Sequence, residues 1–190
     1  LSGIITYNFF KNGTTIALSS LSNRSSLITQ IYFPRSIPAI SSCFTAGIML
    51  IVELAVLGVF MVYFQFTPSL TILYLIPIYM LAFVLVLGIA LGLSVLNIKF
   101  RDIEFIWGIV LHAGFFLTPI FYRFDMLPEE IRNILQLSPV VQIVEMVHHV
   151  TLYGTLPSLN SVLYSVGSVF IILGIGYLIF RRYQARIVEE

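Results

Sequence analysis

Charge is what this sequence has least of. From position 36 to position 98 it carries one formal charge, Glu53. Only 10% of its 190 residues are Asp, Glu, Lys or Arg, against about 25% in an average globular chain. A water-soluble domain needs charged side chains on its outer faces, so a stretch this bare excludes that class. Cysteine is down to one residue, Cys43, set in an apolar run; an internal disulfide and a cysteine-based metal site are excluded. Lysine is nearly missing. Lys11 and Lys99 are the only two, and neither follows a glycine, so the phosphate-cradling loop G-x-x-x-x-G-K-[ST] is absent. The ten basic residues are scattered singly and the net charge is +1, which forms no patch for nucleic acid. Period-two alternation is also missing, which argues against a sheet, and open sheet edges are not tolerated in lipid. The first residue is Leu1 and no signal peptide precedes it; we read the chain as a fragment lacking its true N-terminus.

Apolar residues fill the space that charge leaves. They make up 58% of the chain, with a mean hydropathy of +0.99. About 20 helical residues cross the roughly 30 Å hydrocarbon core of a bilayer. Segments 41–64, 70–97, 105–122 and 158–180 meet that test of length and polarity. A turn at 65–69 separates the first pair. A fifth segment, 3–22, mixes Asn8, Lys11 and Asn12 with Ile4, Ile5, Phe9, Phe10, Ile16 and Leu18; by itself it reads equally as a membrane helix or an interfacial one. The expected fold class is all-α, a polytopic bundle of membrane helices in a single domain spanning 1–190.

Orientation follows from basic residues in short loops. Arg24, Arg35, Lys99, Arg101, Arg181, Arg182 and Arg186 fall on one side if all four helices cross; Arg123 and Arg132 fall on the other. The richer side is cytoplasmic and includes the C-terminus. Two segments lie between crossings. In the inner one, Ser22-Asn23-Arg24-Ser25-Ser26 offers N-cap chemistry, Leu27, Ile28 and Ile31 fit a short amphipathic helix, and Pro34 and Pro38 stop it. In the outer one, Pro128-Glu129-Glu130 begins a helix containing Ile131, Ile134, Leu135 and Leu137. Ser138-Pro139 breaks it. A second stripe then runs through Val140, Ile143, Val144, Val147 and Val150 until Gly154 and Pro157. Both outer helices are expected to be re-entrant or interfacial.

Few residues carry chemistry. Glu53 is the one carboxylate deep in an expected crossing. Such an acid costs several kcal/mol unless paired, protonated or wetted, so it serves either a substrate path or hydrogen-bonded packing; a proton relay would need a second ionisable group, and His112 is the only other one. His148 and His149 are adjacent, about 100° apart on a helix, and do not form a metal site. Trp107, Phe115, Phe116, Phe121 and Tyr122 cluster. Their faces fit sugar rings as well as an interfacial belt. On a continuous helix, positions 115, 119 and 122 share a face and 116 points about 100° away. Asp102 and Glu104 sit among Lys99 and Arg101, which reads as an ion-pair loop.

Three stretches, in order, resemble a known family: L-I-T-Q-I-Y-F-P-R at 27–35, N-I-K-F-R-D-I at 97–103 and F-F-L-T-P-I-F-Y at 115–122. They resemble the permease subunit of ABC-2 type exporters, the branch exporting O-antigen, teichoic acid and capsular polysaccharide. Y-N-F-F at 7–10 resembles the start of that family's second transmembrane helix. The resemblance runs end to end. It implies a homodimeric six-helix permease, of which this chain holds five transmembrane helices, segment 3–22 included. By resemblance, 22–35 is a coupling helix for a separate ABC ATPase, two copies per transporter, with Asn23, Arg24, Leu27, Ile28, Ile31, Phe33 and Arg35 at the contact. ATP and Mg would bind that partner; no cofactor and no catalytic residue belong to this chain. Residues 128–152 become external gate helices, with Pro128, Pro139, Glu145 and His148. Also by resemblance, the fifth-helix aromatics Trp107, Phe115, Phe116 and Tyr122 line the path of a lipid-linked glycan in the cytoplasmic (inner) membrane; Glu53 joins them as a path candidate by its chemistry alone. Two departures stand out: the family has Asn-Pro at Ser138-Pro139 and Arg at His148. Export of a drug or small lipid, and an integral membrane transferase, are the alternatives.

Overall fold

The computed structural model describes residues 1–20, 36–65, 70–100, 102–122 and 124–184. The expected coupling segment 22–35, with all of its named contact residues, lies outside them, as do Arg101, Arg123 and most of the 65–69 turn. The described residues form helices and no strands. They are α1 (Ser2–Ser20), α2 (Ser36–Tyr63), α3 (Leu75–Lys99, entered through a 3-10 turn at Leu70–Tyr74), α4 (Ile103–Leu117), α5 (Glu129–Leu135), α6 (Pro139–His148) and α7 (Leu159–Gln184). Three stretches are long and apolar enough to cross a membrane: Ser36–Tyr63, Leu70–Lys99 and Leu159–Tyr183. Their outward residues are apolar, among them Ile48, Ile51, Val59 and Val62 on α2 and Ile171 and Leu178 on α7. That pattern suits an apolar environment such as lipid.

The most extensive packing is between α3 and α7. Three glycines explain it. A Cβ added to Gly88 would stand 2.7 Å from the Leu173 Cα, and one added to Gly176 would overlap the Gly88 carbonyl oxygen. The two backbones therefore touch with nothing between them. Gly92, one turn on from Gly88, lies over Gly176 with room for a methyl group, at 3.6 Å from its Cα. Small residues spaced by four are how helices approach closely in lipid, where apolar burial gives no net drive.

The opposite face of α3 meets α1. Tyr79, Val86 and Asn97 recur at whole turns and share that face. The Tyr79 hydroxyl pairs with Thr6 Oγ1 at 3.2 Å, and Asn97 Nδ2 donates to the Leu18 carbonyl at 3.0 Å. Gly13 lets Val86 and Ala46 press directly on the α1 backbone. With α2, α3, α4 and α6 all packed against it, α1 buries Tyr7, Phe9, Ala17 and Leu18. Protein supplies most of its surroundings, and the residues that made segment 3–22 ambiguous, Asn8, Lys11 and Asn12, lie where it does not cover the helix fully.

Two element ends differ from the sequence reading. The crossing expected over 105–122 is helical only over Ile103–Leu117. Pro119 has no N–H and pushes the residue before it out of the helical region; Thr118 is extended, with φ −79° and ψ 133°. Tyr122 therefore shares no helical face with Phe115. Its hydroxyl turns back and donates to the Leu117 carbonyl at 2.8 Å, closing the frayed end. In the loop at 99–104, Lys99 Nζ sits 5.1 Å from the centroids of both Phe100 and Tyr183 and, among the described residues, pairs with neither Asp102 nor Glu104; Arg101, the other base of the expected ion-pair loop, lies outside them.

The outer helices form as the sequence indicates, with acids Glu129 and Glu130 in the first turn of α5 and Pro139 at the start of α6. Pro128 occupies the cap position of α5 rather than its first turn. α6 does more than lie on a surface. Val141, Gln142, Ile143, Val144, Met146 and Val147 are all buried, so it enters the bundle between α1 and α3. One π-turn, His149–Tyr153, widens its end before Gly154 closes it with φ 61°.

The glycine contacts make a sharp prediction. Gly88→Leu and Gly176→Leu should each destabilise the protein by about 1–3 kcal/mol or prevent folding, since the overlap is with backbone. Gly92→Ala should stay within about 0.5 kcal/mol of the parent. Thermal unfolding of the detergent-solubilised protein measures the difference; equal effects at 88 and 92 would break the argument.

The seam between α1 and α4

α4 is held on α1 by aromatic rings and two hydrogen bonds. Tyr7, 2% exposed, donates its hydroxyl to the Leu111 carbonyl at 2.5 Å. Trp107 Nε1 donates to Thr14 Oγ1 at 3.1 Å, and Thr14 passes its own proton to the Phe10 carbonyl at 2.9 Å. Both polar tips of the aromatics are thus satisfied inside an apolar junction, as such groups require. Gly114 makes room for Tyr7: a Cβ there would lie 2.8 Å from the phenol oxygen.

The ring pairs define two flanks of the seam. On one, Phe10 meets Trp107 with centroids 6.3 Å apart, and this flank closes toward α3. On the other, Tyr7 meets Phe115 edge to face at 5.4 Å and 70°. The two helices run antiparallel, since Tyr7 pairs with 111–115 and Thr14 with 107. Right-handed winding then carries each helix outward on the Tyr7 side: α1 through Lys11, Asn8 and Thr15, α4 through His112 and Phe116. Lys11, Thr15, His112 and Phe116 are exposed and Asn8 is half-exposed. This flank is open and carries an amine, an amide and rings, while the outer faces of α2 and α7 are mostly aliphatic and aromatic.

The sequence-named path residues separate here. Trp107 and Phe115 are backing residues, half-buried in the seam. Phe116 is 77% exposed and meets Phe115 edge to face at 5.7 Å; Phe121 meets the same ring from the other side at 5.7 Å. Tyr122 caps α4. Glu53 stands apart on α2, half-exposed, with Oε2 shielded from solvent and without a hydrogen-bond partner among the described residues. His112 donates Nδ1–H to the Gly108 carbonyl at 2.7 Å. A carbonyl only accepts, so this bond fixes the tautomer and leaves Nε2 outward. Lys11 was not among the residues singled out from the sequence. The available signal was that Lys11 is the single charge in segment 3–22.

The outer helices cover the upper end of the seam. His148 lies on Gly3, where a Cβ would approach its Nε2 to 2.6 Å, and burial lowers its pKa from the ordinary 6.5. Thr151 Oγ1 donates to the Ser2 hydroxyl at 3.2 Å. Glu145 faces a separate open pocket of about 240 Å³ with Gln142, His149, Thr155, Ser158 and Ser161. Among the described residues there is no cluster of metal-ligating side chains and the one ion pair is Arg132 with Glu129, at 3.9 Å.

Comparison with known proteins adds the family. The ABC-2 type transporter family matches residues 1–152. Two relatives from Klebsiella pneumoniae, each an O-antigen export system permease protein RfbA, are 28% and 29% identical over 191 aligned positions. Each alignment covers 100% of this chain and 73% of the relative.

The Tyr7–Gly114 contact is open to a double-mutant test. Gly114→Ala should lower stability by about 1–2 kcal/mol in the parent and by much less in a Tyr7→Phe background, because the clash is with the hydroxyl itself. Thermal unfolding of the four proteins reads the coupling. Additive effects would show that the α1–α4 seam is not built on this bond.

Proposed function

Because this chain belongs to the ABC-2 type transporter family, we propose that it is the permease subunit of an ATP-driven exporter of a lipid-linked polysaccharide of the O-antigen class. The carrying observation is the likeness to two O-antigen export permeases over 100% of the chain. The open flank of the α1–α4 seam supports it. Phe116 offers a ring face to sugar C–H groups, and Asn8, Thr15 and His112 offer hydrogen bonds to hydroxyls. A long polymer slides past such contacts because each is weak and replaceable. ATP and Mg bind a separate ATPase, two copies per transporter, through segment 22–35. A second copy of this permease completes the path at a two-fold axis. ATP-driven closure of the ATPases shifts the helices as rigid bodies and opens it. The complex sits in the cytoplasmic membrane with the C-terminus inside and α5 and α6 outside.

Two measurements test this reading. In the Cys43→Ser background, cysteines at Glu129 and Arg186 should label from opposite sides of the membrane; labelling from one side removes the topology. For the path, Phe116→Ala should reduce polysaccharide export several-fold at matched membrane levels, on the order of 1 kcal/mol for one lost ring contact. Phe115→Ala should act mainly through stability, since that ring packs on Tyr7. Unchanged export in Phe116→Ala, or export of a small drug with no polysaccharide export, would move the assignment to another ABC-2 cargo.

A further inference from the structure

Lys11 is the middle residue of α1 and is exposed. Among the described residues no carboxylate pairs with it, and the sole ion pair is the distant Arg132–Glu129. Its neighbours on the helix face are Asn8 and Thr15, three and four positions away, and His112 and Phe116 stand on the same flank across the seam. A lysine at the centre of a membrane helix costs about 2.5–3.5 kcal/mol against lipid. The helix is too long for it to escape: nine residues separate Lys11 from each end of α1, about 13 Å, roughly twice the reach of its side chain. The flank around it carries Asn8, Thr15 and His112 beside the ring of Phe116, and the outer faces of α2 and α7 are mostly apolar. In a membrane-crossing α1 the lysine is therefore wetted, and among the described residues it is the one fixed positive charge on that flank.

We propose that Lys11 is a specificity-determining residue: it places a fixed positive charge at mid-depth in a water-filled path along α1 and α4, and selects cargo bearing a phosphate or carboxylate group. This rests on the exporter reading both for what the cargo is and for α1 as a membrane-crossing helix. The anion has two possible sources, a phosphate on the lipid carrier or an acidic sugar, and both meet the ammonium in the same way. Asn8 and Thr15 supply neutral hydrogen bonds beside the charge, so an anion passes without being trapped by a second cation.

The experiment uses the full-length permease with its ATPase in lipid vesicles, in the Cys43→Ser background. Thr15→Cys is treated with two membrane-impermeant thiol reagents, sulfonatoethyl and trimethylammonioethyl methanethiosulfonate. Val59→Cys, on the lipid side of α2, is the control. Thr15→Cys should react with both reagents, faster with the anionic one, while Val59→Cys stays unreactive. Lys11→Gln should lower the anionic-to-cationic rate ratio about threefold or more, and Lys11→Arg should retain it, which separates lost charge from lost fold. Protection of Thr15→Cys by a polyprenyl phosphate assigns the anion to the lipid carrier. Protection by an oligogalacturonate assigns it to the glycan. No labelling at 15, a ratio indifferent to Lys11, or protection by neither probe overturns the proposal. A positive labelling result with failed polysaccharide export would remove the exporter reading and leave the charged path standing.

Discussion

The backbone contact between α3 and α7 sets the geometry of everything else. In water, two apolar helices are driven together by the area they hide. In a bilayer the tails are as apolar as the side chains, so association rests on close fit and on hydrogen bonds. Gly88 and Gly176 remove every atom that could stand between the two helices. The contact also fixes the rotation of α3 about its axis. With its glycine face on α7, the face holding Tyr79, Val86 and Asn97 can only point the other way, at α1. The hydrogen bonds to Thr6 and to the Leu18 carbonyl depend on that rotation, and so does the fit of Val86 over Gly13.

α1 is consequently solvated by protein over most of its circumference. Its buried hydroxyls are all answered: Thr6 by the Ser2 carbonyl and Tyr79, Thr14 by the Phe10 carbonyl and Trp107, Tyr7 by the Leu111 carbonyl. An unanswered hydroxyl at that depth would cost about 1–3 kcal/mol. A helix can carry this much polarity through the middle of an apolar bundle only if neighbours are placed to within a few tenths of an ångström, which is what the α3–α7 contact secures. The remaining polar residues of α1 gather on the single sector left uncovered.

Much of this architecture is legible in the sequence, for a simple reason. Length and charge depletion are one-dimensional properties, and α2, α3 and α7 announce themselves by both. The outer helices are equally plain, because Glu129 and Glu130 and then Ser138-Pro139 are local end signals that act through local geometry. What is not legible depends on neighbours. Segment 3–22 looked half-committed because of Asn8, Lys11 and Asn12, and hydropathy cannot tell that these fall on the sides of α1 that its neighbours leave open or partly open. The amphipathic stripe from Val140 to Val150 predicted a helix on a surface; burial of Met146 and Gln142 shows the other side covered too. Position 122 was placed with 115 by helical period, and the period ended at Pro119. Gly88 and Gly92 were visible as a spacing of four, yet their partner Gly176 is far along the chain, and no local pattern joins them. Among candidate site residues, the aromatics were found by type, but which of them packs and which is free is decided by Tyr7. The family resemblance supplied what local reading lacked for α1, a helix over Ser2–Ser20.

The two flanks of the α1–α4 seam are unequal, and that inequality bears on how a path could open. α4 touches the bundle lightly. Apart from a small contact with α3, it is held by the Tyr7 and Trp107 hydrogen bonds and by two ring pairs. α7, by contrast, is locked to α3 backbone against backbone. Any rigid-body shift within the bundle therefore breaks fewest contacts if it carries α4 relative to α1. Edge-to-face rings tolerate sliding, because their attraction is broad in distance and angle. The hydrogen bonds do not, but each is worth only about 1 kcal/mol net. A displacement of α4 widens or narrows the flank that carries Lys11, His112 and Phe116 without disturbing the glycine contact on which the rest of the fold stands. The molecule thus separates a rigid body, α1, α3 and α7, from one lightly held helix, α4, and the polar surface lies along the seam between them.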